Sequence, residues 1–274
     1  MSVGMSAEHY ENFPVASLLL PAALRRPVSV IYRFARSADD FADEGNLTPE
    51  ARLALLDGYR EELDRLKGGT PPVAPLFQEL REVIQAHSLP LAPFYDLLDA
   101  FSQDVRKLRY ATFAEVMDYC RRSADPVGRL MLHLYGKSDG INVAASDSVC
   151  SALQLINFWQ DVEIDFRKNR IYLPQDEMAR FGVTEAQIAA RDASGGWWDL
   201  MRFQVERARA LLLSGAPLAL RLPGRIGLEI RTVVQGGLRI LEKLERVKGD
   251  VFRHRPVLDS LDWPLILCRA LLTQ

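Results

Sequence analysis

This chain of 274 residues is expected to fold as an all-α bundle. Apolar residues recur at three-to-four spacing along most of its length, no stretch alternates convincingly with period two, and the gaps between apolar runs carry turn chemistry. About ten helices in one domain spanning residues 1–274 are expected, because no linker is long or polar enough to mark a boundary and no repeat of fixed period is visible. Such a bundle builds its site in a central cavity, from side chains on facing helices.

The first helix is marked by the apolar run Val28-Ser29-Val30-Ile31-Tyr32, runs into the acidic stretch FARSADDFADEG at residues 34–45, and is ended by Gly45-Asn46. Thr48 then offers an N-cap and Pro49 a first helical residue for a helix over 51–67. Gly68-Gly69-Thr70-Pro71-Pro72 separates that helix from 76–87, and Leu89-Pro90 separates 76–87 from 93–106. Helices follow over 112–122 and 127–136, the second expected to be capped by Asp125 and opened by Pro126. Residues 141–166 form the longest periodic stretch, which reads as one central buried helix. Ser194-Gly195-Gly196 introduces 198–214, and Pro223-Gly224 introduces 225–249.

Composition narrows the function. With 34 basic and 36 acidic residues the chain has no global field to attract nucleic acid, so phosphate binding must be local. Cys120, Cys150 and Cys268 are odd in number, far apart and without a ligand-spaced histidine, which fits a reducing cytoplasm better than a disulfide framework or a zinc site. His87, His133 and His254 lie apart and read as surface or satisfied core residues. Near the N-terminus, Pro14, Pro21, Arg25 and Arg26 interrupt the apolar stretches, leaving neither a signal-peptide pattern nor the ~20 apolar residues a membrane span needs.

Two acidic stretches carry the chemistry. On a helix turning about 100° per residue, Arg36, Asp39, Asp40 and Asp43 share one face. Clustered carboxylates repel, and at a helix C-terminus they also oppose the macrodipole, so something cationic should offset them. That is either Arg36 at a solvated helix end or a metal ion. In LQLINFWQDVEIDF, residues 153–166, a stripe of Gln154, Asn157, Asp161 and Asp165 crosses a helix otherwise made apolar by Leu155, Ile156, Phe158, Trp159 and Val162. Buried aspartates are costly unless paired, here to Arg36 or Arg170, or bound to metal.

Oxygen-only ligands without clustered histidine or cysteine select hard cations, Mg²⁺ first. Mg²⁺ commonly takes one or two carboxylates and fills its shell with water and phosphate oxygens, so two facing acidic helices suggest a diphosphate held through Mg²⁺. FRKNRIYLP, residues 166–174, adds Arg167, Lys168, Arg170 and Tyr172. Arg167 and Lys168 read as a solvated loop. Arg170, beside Tyr172-Leu173-Pro174, is the residue expected to neutralise a departing diphosphate.

These residues, in this order, resemble the squalene/phytoene synthase family of head-to-head prenyltransferases. The similarity begins at His9 and Asn12-Phe13, runs through LPAALRRPVSVIYRFARSADDFADE, DYCRRSADPVGR and LQLINFWQDVEIDFRKNRIYLP, and continues weakly to the C-terminus. The resemblance implies an isoprenoid synthase bundle with a Mg²⁺-dependent site. Asp39 and Asp43 would be the first metal-binding pair, Arg36 a diphosphate contact, and Asn157, Asp161 and Asp165 the second metal set. By the same resemblance Phe13 faces a carbocation, Tyr119 works near the leaving group, and His9, Asn12, Asp104 and Gln154 occupy substrate-site positions.

Departures from the family pattern indicate a branch. Relatives that condense two prenyl chains usually carry an arginine where this chain has Gln160, and a glycine-rich VAGxVG where this chain has SADPVG at 123–128. Together with HYENFPVASLLLP these departures resemble the bacterial hydroxysqualene-forming branch of hopanoid biosynthesis. That branch converts presqualene diphosphate, made by a sister synthase to which it would be functionally coupled, into hydroxysqualene. The reaction needs water and no hydride donor, so no nicotinamide cofactor is expected. The greasy substrate implies transient membrane contact by a cytoplasmic protein peripheral to the inner membrane. The alternatives are a synthase condensing farnesyl or geranylgeranyl diphosphate, and a non-catalytic binding or assembly protein that kept the fold.

Overall fold

The structure, a computed structural model, describes residues 20–272, so His9, Asn12 and Phe13 lie outside the described residues. Among the described residues it is helical throughout, with no strand and one isolated bridge, Arg109 to Ile171. No helix there is long and apolar enough to cross a membrane.

The first four helices are α1 (Ala22–Asp43), α2 (Pro49–Lys67), α3 (Pro75–His87) and α4 (Ala92–Arg106). α1 buries Val28, Ile31, Phe34, Ala35, Ala38 and Ala42, the spacing of an amphipathic stripe. Phe34 meets Phe77 and Phe94 edge to face at 5.7 and 5.2 Å between ring centres. With that stripe fixed in the core, the adjoining sector holding Arg36, Asp39, Asp40 and Asp43 borders the interior. As expected, Thr48 caps α2, its hydroxyl accepting from the Ala51 N–H at 3.3 Å with Pro49 opening the helix.

The chain continues through α5 (Phe113–Ser123), α6 (Asp125–Leu134), α7 (Gly140–Gln160), α8 (Val162–Arg167), α9 (Gln175–Arg180), α10 (Glu185–Ala189), α11 (Trp197–Gly215), α12 (Leu218–Arg221), α13 (Gly224–Arg246) and α14 (Asp262–Leu272). One apolar core joins α1 to α4 with α6, and a second surrounds Trp159 and Trp197 between α5, α7, α11 and α13. α7 is central because its neighbours come unusually close. A Cβ on Gly128 would lie 2.3 Å from the Ser146 hydroxyl, and one on Gly215 would lie 2.5 Å from the Ala145 carbonyl, so glycine lets α6 and α11 pack onto α7.

Three expectations need correction. The 141–166 helix is two helices, interrupted at Asp161, whose backbone (φ −104°, ψ 14°) leaves the helical region. The bonds Asp161 N–H to Asn157 O and Asp165 N–H to Asp161 O, at 2.9 and 2.8 Å, carry the ladder across the break, which is why the apolar period does not reveal it. Asp125 does not cap α6. Ala124 holds the cap position, and the Asp125 carboxylate turns inward to accept from the Ser151 hydroxyl of α7 at 2.7 Å. Finally, α9, α10, α12 and α14 are unmarked by periodicity: the first three are only about one turn long, and α14 is apolar on too many sides to show a stripe.

Candidate active site

The last two turns of α1 bring Arg36 against its own carboxylates, 2.7 Å from Asp40 and 3.5 Å from Asp39. Asp43 instead reaches across to the segment after α8, pairing with Lys168 at 2.8 Å and with Arg170. Lys168 is therefore part of the site and not a solvated loop residue. Arg167 does behave as a surface residue, pairing with Glu163 at 2.5 Å with 70% of its side chain exposed.

The segment that presents Arg170 is fixed by local chemistry. Asn169 adopts a left-handed φ of 61°, and the Arg170 N–H then bonds back to the Asp165 carbonyl at 2.8 Å. Arg109 clamps the same turn, donating to the Asn169 carbonyl and holding Glu185 bidentately at 2.8 and 2.9 Å. Arg170 also donates to the main-chain carbonyl of Asp104 at 3.3 Å, which joins α1, α4 and the α8 turn.

Beside it lies a buried polar group in an aromatic setting. Asp104 accepts from the Tyr119 hydroxyl at 2.7 Å and from the Tyr172 hydroxyl at 3.1 Å. Tyr172 stacks face to face on Phe158 of α7, with ring centres 3.7 Å apart. The sequence suggests Asp104 and Tyr119 separately; their contact, and the role of Tyr172 in holding both, are structural findings.

On the second acidic stretch, Asn157 donates to Asp161 at 2.9 Å, and Gln154 lies half-buried one turn before Phe158. Asp161 also accepts bidentately from Nε and Nη2 of Arg255, from the segment between α13 and α14. That segment is latched by Gln160, whose amide donates to the Pro256 carbonyl at 2.6 Å. Arg255 is a site residue the sequence does not disclose, since 94 residues separate it from Asp161 and no local pattern joins them.

The electrostatics show that the two stretches act on each other. Burial, reinforced by the Asp43 and Asp104 carboxylates, pushes Asp39 up to about 7 despite Arg36. Its side chain remains 40% accessible, so protein crowds it while one side stays open. Asp165 is raised well above its ordinary value by burial and by Asp161, with Asp43 of α1 adding to the rise and Arg170 and Lys168 opposing it. Burial also works to raise Asp43, but Arg170 and Lys168 outweigh it and hold that carboxyl below its ordinary range. Burial takes Asp104 to about 6, against the pull of Arg170 and the Tyr119 hydroxyl.

The donor chemistry fits a hard divalent cation. All candidate ligands are carboxylate or amide oxygens, and burial and like neighbours push Asp39 and Asp165 toward their protonated forms, a shift that added positive charge would reverse. Among the described residues no three acidic, histidine or cysteine side chains already converge as a ligand group; Arg36, Lys168, Arg170 and Arg255 are instead paired with the carboxylates.

A family model described as squalene/phytoene synthase matches residues 6–262. The hydroxysqualene synthase of Rhodopseudomonas palustris is 37% identical over 237 residues, 86% of this chain and 80% of that protein. The hydroxysqualene synthase of Sinorhizobium fredii is 36% identical, covering 93% of this chain and 86% of its own length. Among solved structures, squalene synthase HpnC from Alicyclobacillus acidocaldarius superposes with a TM-score of 0.81 at 39% identity, over 88% of this chain and 90% of that one.

Proposed function

Since the chain belongs to the squalene/phytoene synthase family, we propose that it is a hydroxysqualene synthase, converting presqualene diphosphate and water to hydroxysqualene and diphosphate. The observation that carries this reading is the meeting of the two acidic stretches through Asp43, Arg170 and Lys168, next to the buried Asp104-Tyr119-Tyr172 group. Asp39, Asp43, Asn157, Asp161 and Asp165 are the residues that would hold Mg²⁺. Bound there, it would supply charge to stabilise diphosphate as a leaving group.

The chain's own groups do the rest. Arg170, with Lys168 and Arg36, exchanges carboxylate partners for phosphate oxygens as substrate binds. Tyr119 and Tyr172, both anchored on Asp104, keep the aromatic wall rigid, and the stacked Phe158 offers a π face to positive charge. The family resemblance assigns Phe13 a similar cation-facing place, and His9, Asn12 and Gln154 contacts to substrate. The C–O bond to diphosphate breaks, the cyclopropylcarbinyl cation rearranges to an allylic cation, and a water oxygen bonds to carbon while its proton leaves to solvent or diphosphate. No electrons are exchanged with a donor. Gln160, which holds Pro256, stands where condensing relatives carry arginine, and this departure supports the hydroxysqualene-forming reading.

Incubation with Mg²⁺ and synthetic presqualene diphosphate should release hydroxysqualene and diphosphate in equal amounts, with oxygen labelled from ¹⁸O water. A C30 or C40 product from farnesyl or geranylgeranyl diphosphate alone would place the chain in the condensing branch and overturn the reading.

A further inference from the structure

Helix α14 turns Asp262, Ile266 and Ala270 toward the protein and ties both of its charged residues into ion pairs: Asp262, 2% exposed, accepts from Arg239 at 2.7 Å and from Lys243, and Arg269 pairs with Glu242 at 2.6 Å. Its outer side carries Trp263, Leu265, Leu267, Leu271 and Leu272, preceded by Leu261 at 85% exposure. These six are nearly half of the large apolar side chains left exposed among the described residues. Single exposed leucines are ordinary; a helix whose charges are already paired with the protein and whose outer face is contiguously apolar is built to meet an apolar phase.

We propose that this face of α14 docks on a lipid surface rich in anionic headgroups. The segment leading into it supplies complementary charge: Arg246, Lys248 and Arg253 are exposed there. Of its carboxylates, Asp259 is already neutralised by Lys243 at 2.8 Å and Asp250 lies 3.6 Å from Arg253. This concentration of cations is local, since the chain as a whole carries a net charge of −2. Trp263, 47% exposed at the start of the helix, suits the headgroup boundary. The same segment reaches the candidate active site, with Arg255 on Asp161 and Pro256 on Gln160, so docking would set that site beside the phase in which long prenyl hydrocarbons dissolve. The use of the surface rests on the function proposed above; its existence does not.

Flotation with vesicles of phosphatidylglycerol and phosphatidylethanolamine, without substrate, tests the docking directly. The full chain should float with these vesicles and much less with pure phosphatidylcholine, and its tryptophan emission should shift to the blue, a shift lost in Trp263→Phe. Leu267→Ser with Leu271→Ser should weaken partitioning at least about tenfold, while the circular dichroism spectrum and turnover in detergent stay unchanged. Arg253→Glu should weaken binding to the anionic vesicles only. Failure of the parent chain to float, or equal flotation by the double variant, overturns the proposal. So does a dimer in sedimentation that the double variant abolishes without any vesicle binding, which would make a second copy the occupant. An inactive enzyme that still floats would instead overturn the reaction and leave the docking standing.

Discussion

Asp39 and Asp43, four residues apart on α1, have divided their tasks. Asp43 is closed by two cations, whereas Asp39 has one arginine contact at 3.5 Å and an open side. Asp39→Asn should therefore remove a proposed ligand while Arg36 keeps its pairing with Asp40, and Asp161→Asn should remove a proposed ligand on the second stretch together with the carboxylate that Arg255 grips. Each should lower kcat by at least about 100-fold with an unchanged far-UV circular dichroism spectrum; normal turnover in either would remove the metal assignment. Asp125 makes a separate claim about stability. Burial, against the hydrogen bond from Ser151, pushes its carboxyl up to about 7. The unfolded chain titrates near the ordinary aspartate value of ~3.9. The folded state thus holds the extra proton between those values, and stability should fall as pH rises from about 4 to about 7, by on the order of 4 kcal/mol from this group alone. Asp125→Asn should flatten that slope, gaining melting temperature at pH 8 but not at pH 4. At this scale the sequence is a good guide where a residue acts within its own helix, as with Arg36 and Asp40. It is a poor guide where the partner arrives from elsewhere, as with Lys168 on Asp43, 125 residues away.

Helices are legible when one face is apolar and the other is not. α1, α4 and α13 meet that condition, and their expected positions agree with the structure. α14 fails it, because its outer face is apolar as well as its buried Ile266 and Ala270, and its two charged residues are tied into ion pairs with α13. The charge that hides α14 from periodicity also fixes it, through Asp262 to Arg239 and Lys243. Asp262→Ala should release the helix as a unit: amide hydrogen exchange across 262–272 should accelerate while α13 stays protected. Uniform acceleration across both helices would show that α14 supports the whole second core instead. The break at Asp161 is invisible for a related reason, since hydrogen bonds bridge it and the side-chain spacing continues.

Across the whole molecule, the all-α architecture and the two acidic stretches follow from spacing alone, but their meeting requires α1 and α8 to be brought together by packing that no local pattern encodes. The site that results is closed by its own cations. On the proposed reading, diphosphate and metal should accordingly stabilise the protein as a pair, diphosphate taking Arg170 and Lys168 while Mg²⁺ takes the carboxylates they release. Inorganic diphosphate with Mg²⁺ should raise the melting temperature by several degrees, and either alone by little. Additive effects of the two separate ligands would contradict that exchange.

The arginines and lysine on those carboxylates have one more consequence, in the life of the chain before it first meets substrate. Arg36, Lys168, Arg170 and Arg255 serve as built-in counter-ions from the moment the helices assemble, so newly made protein need not wait for metal to quench its own repulsion. On the function proposed above, maturation would separate into two steps, folding first and loading afterwards, and cells starved of magnesium would accumulate the protein intact and idle.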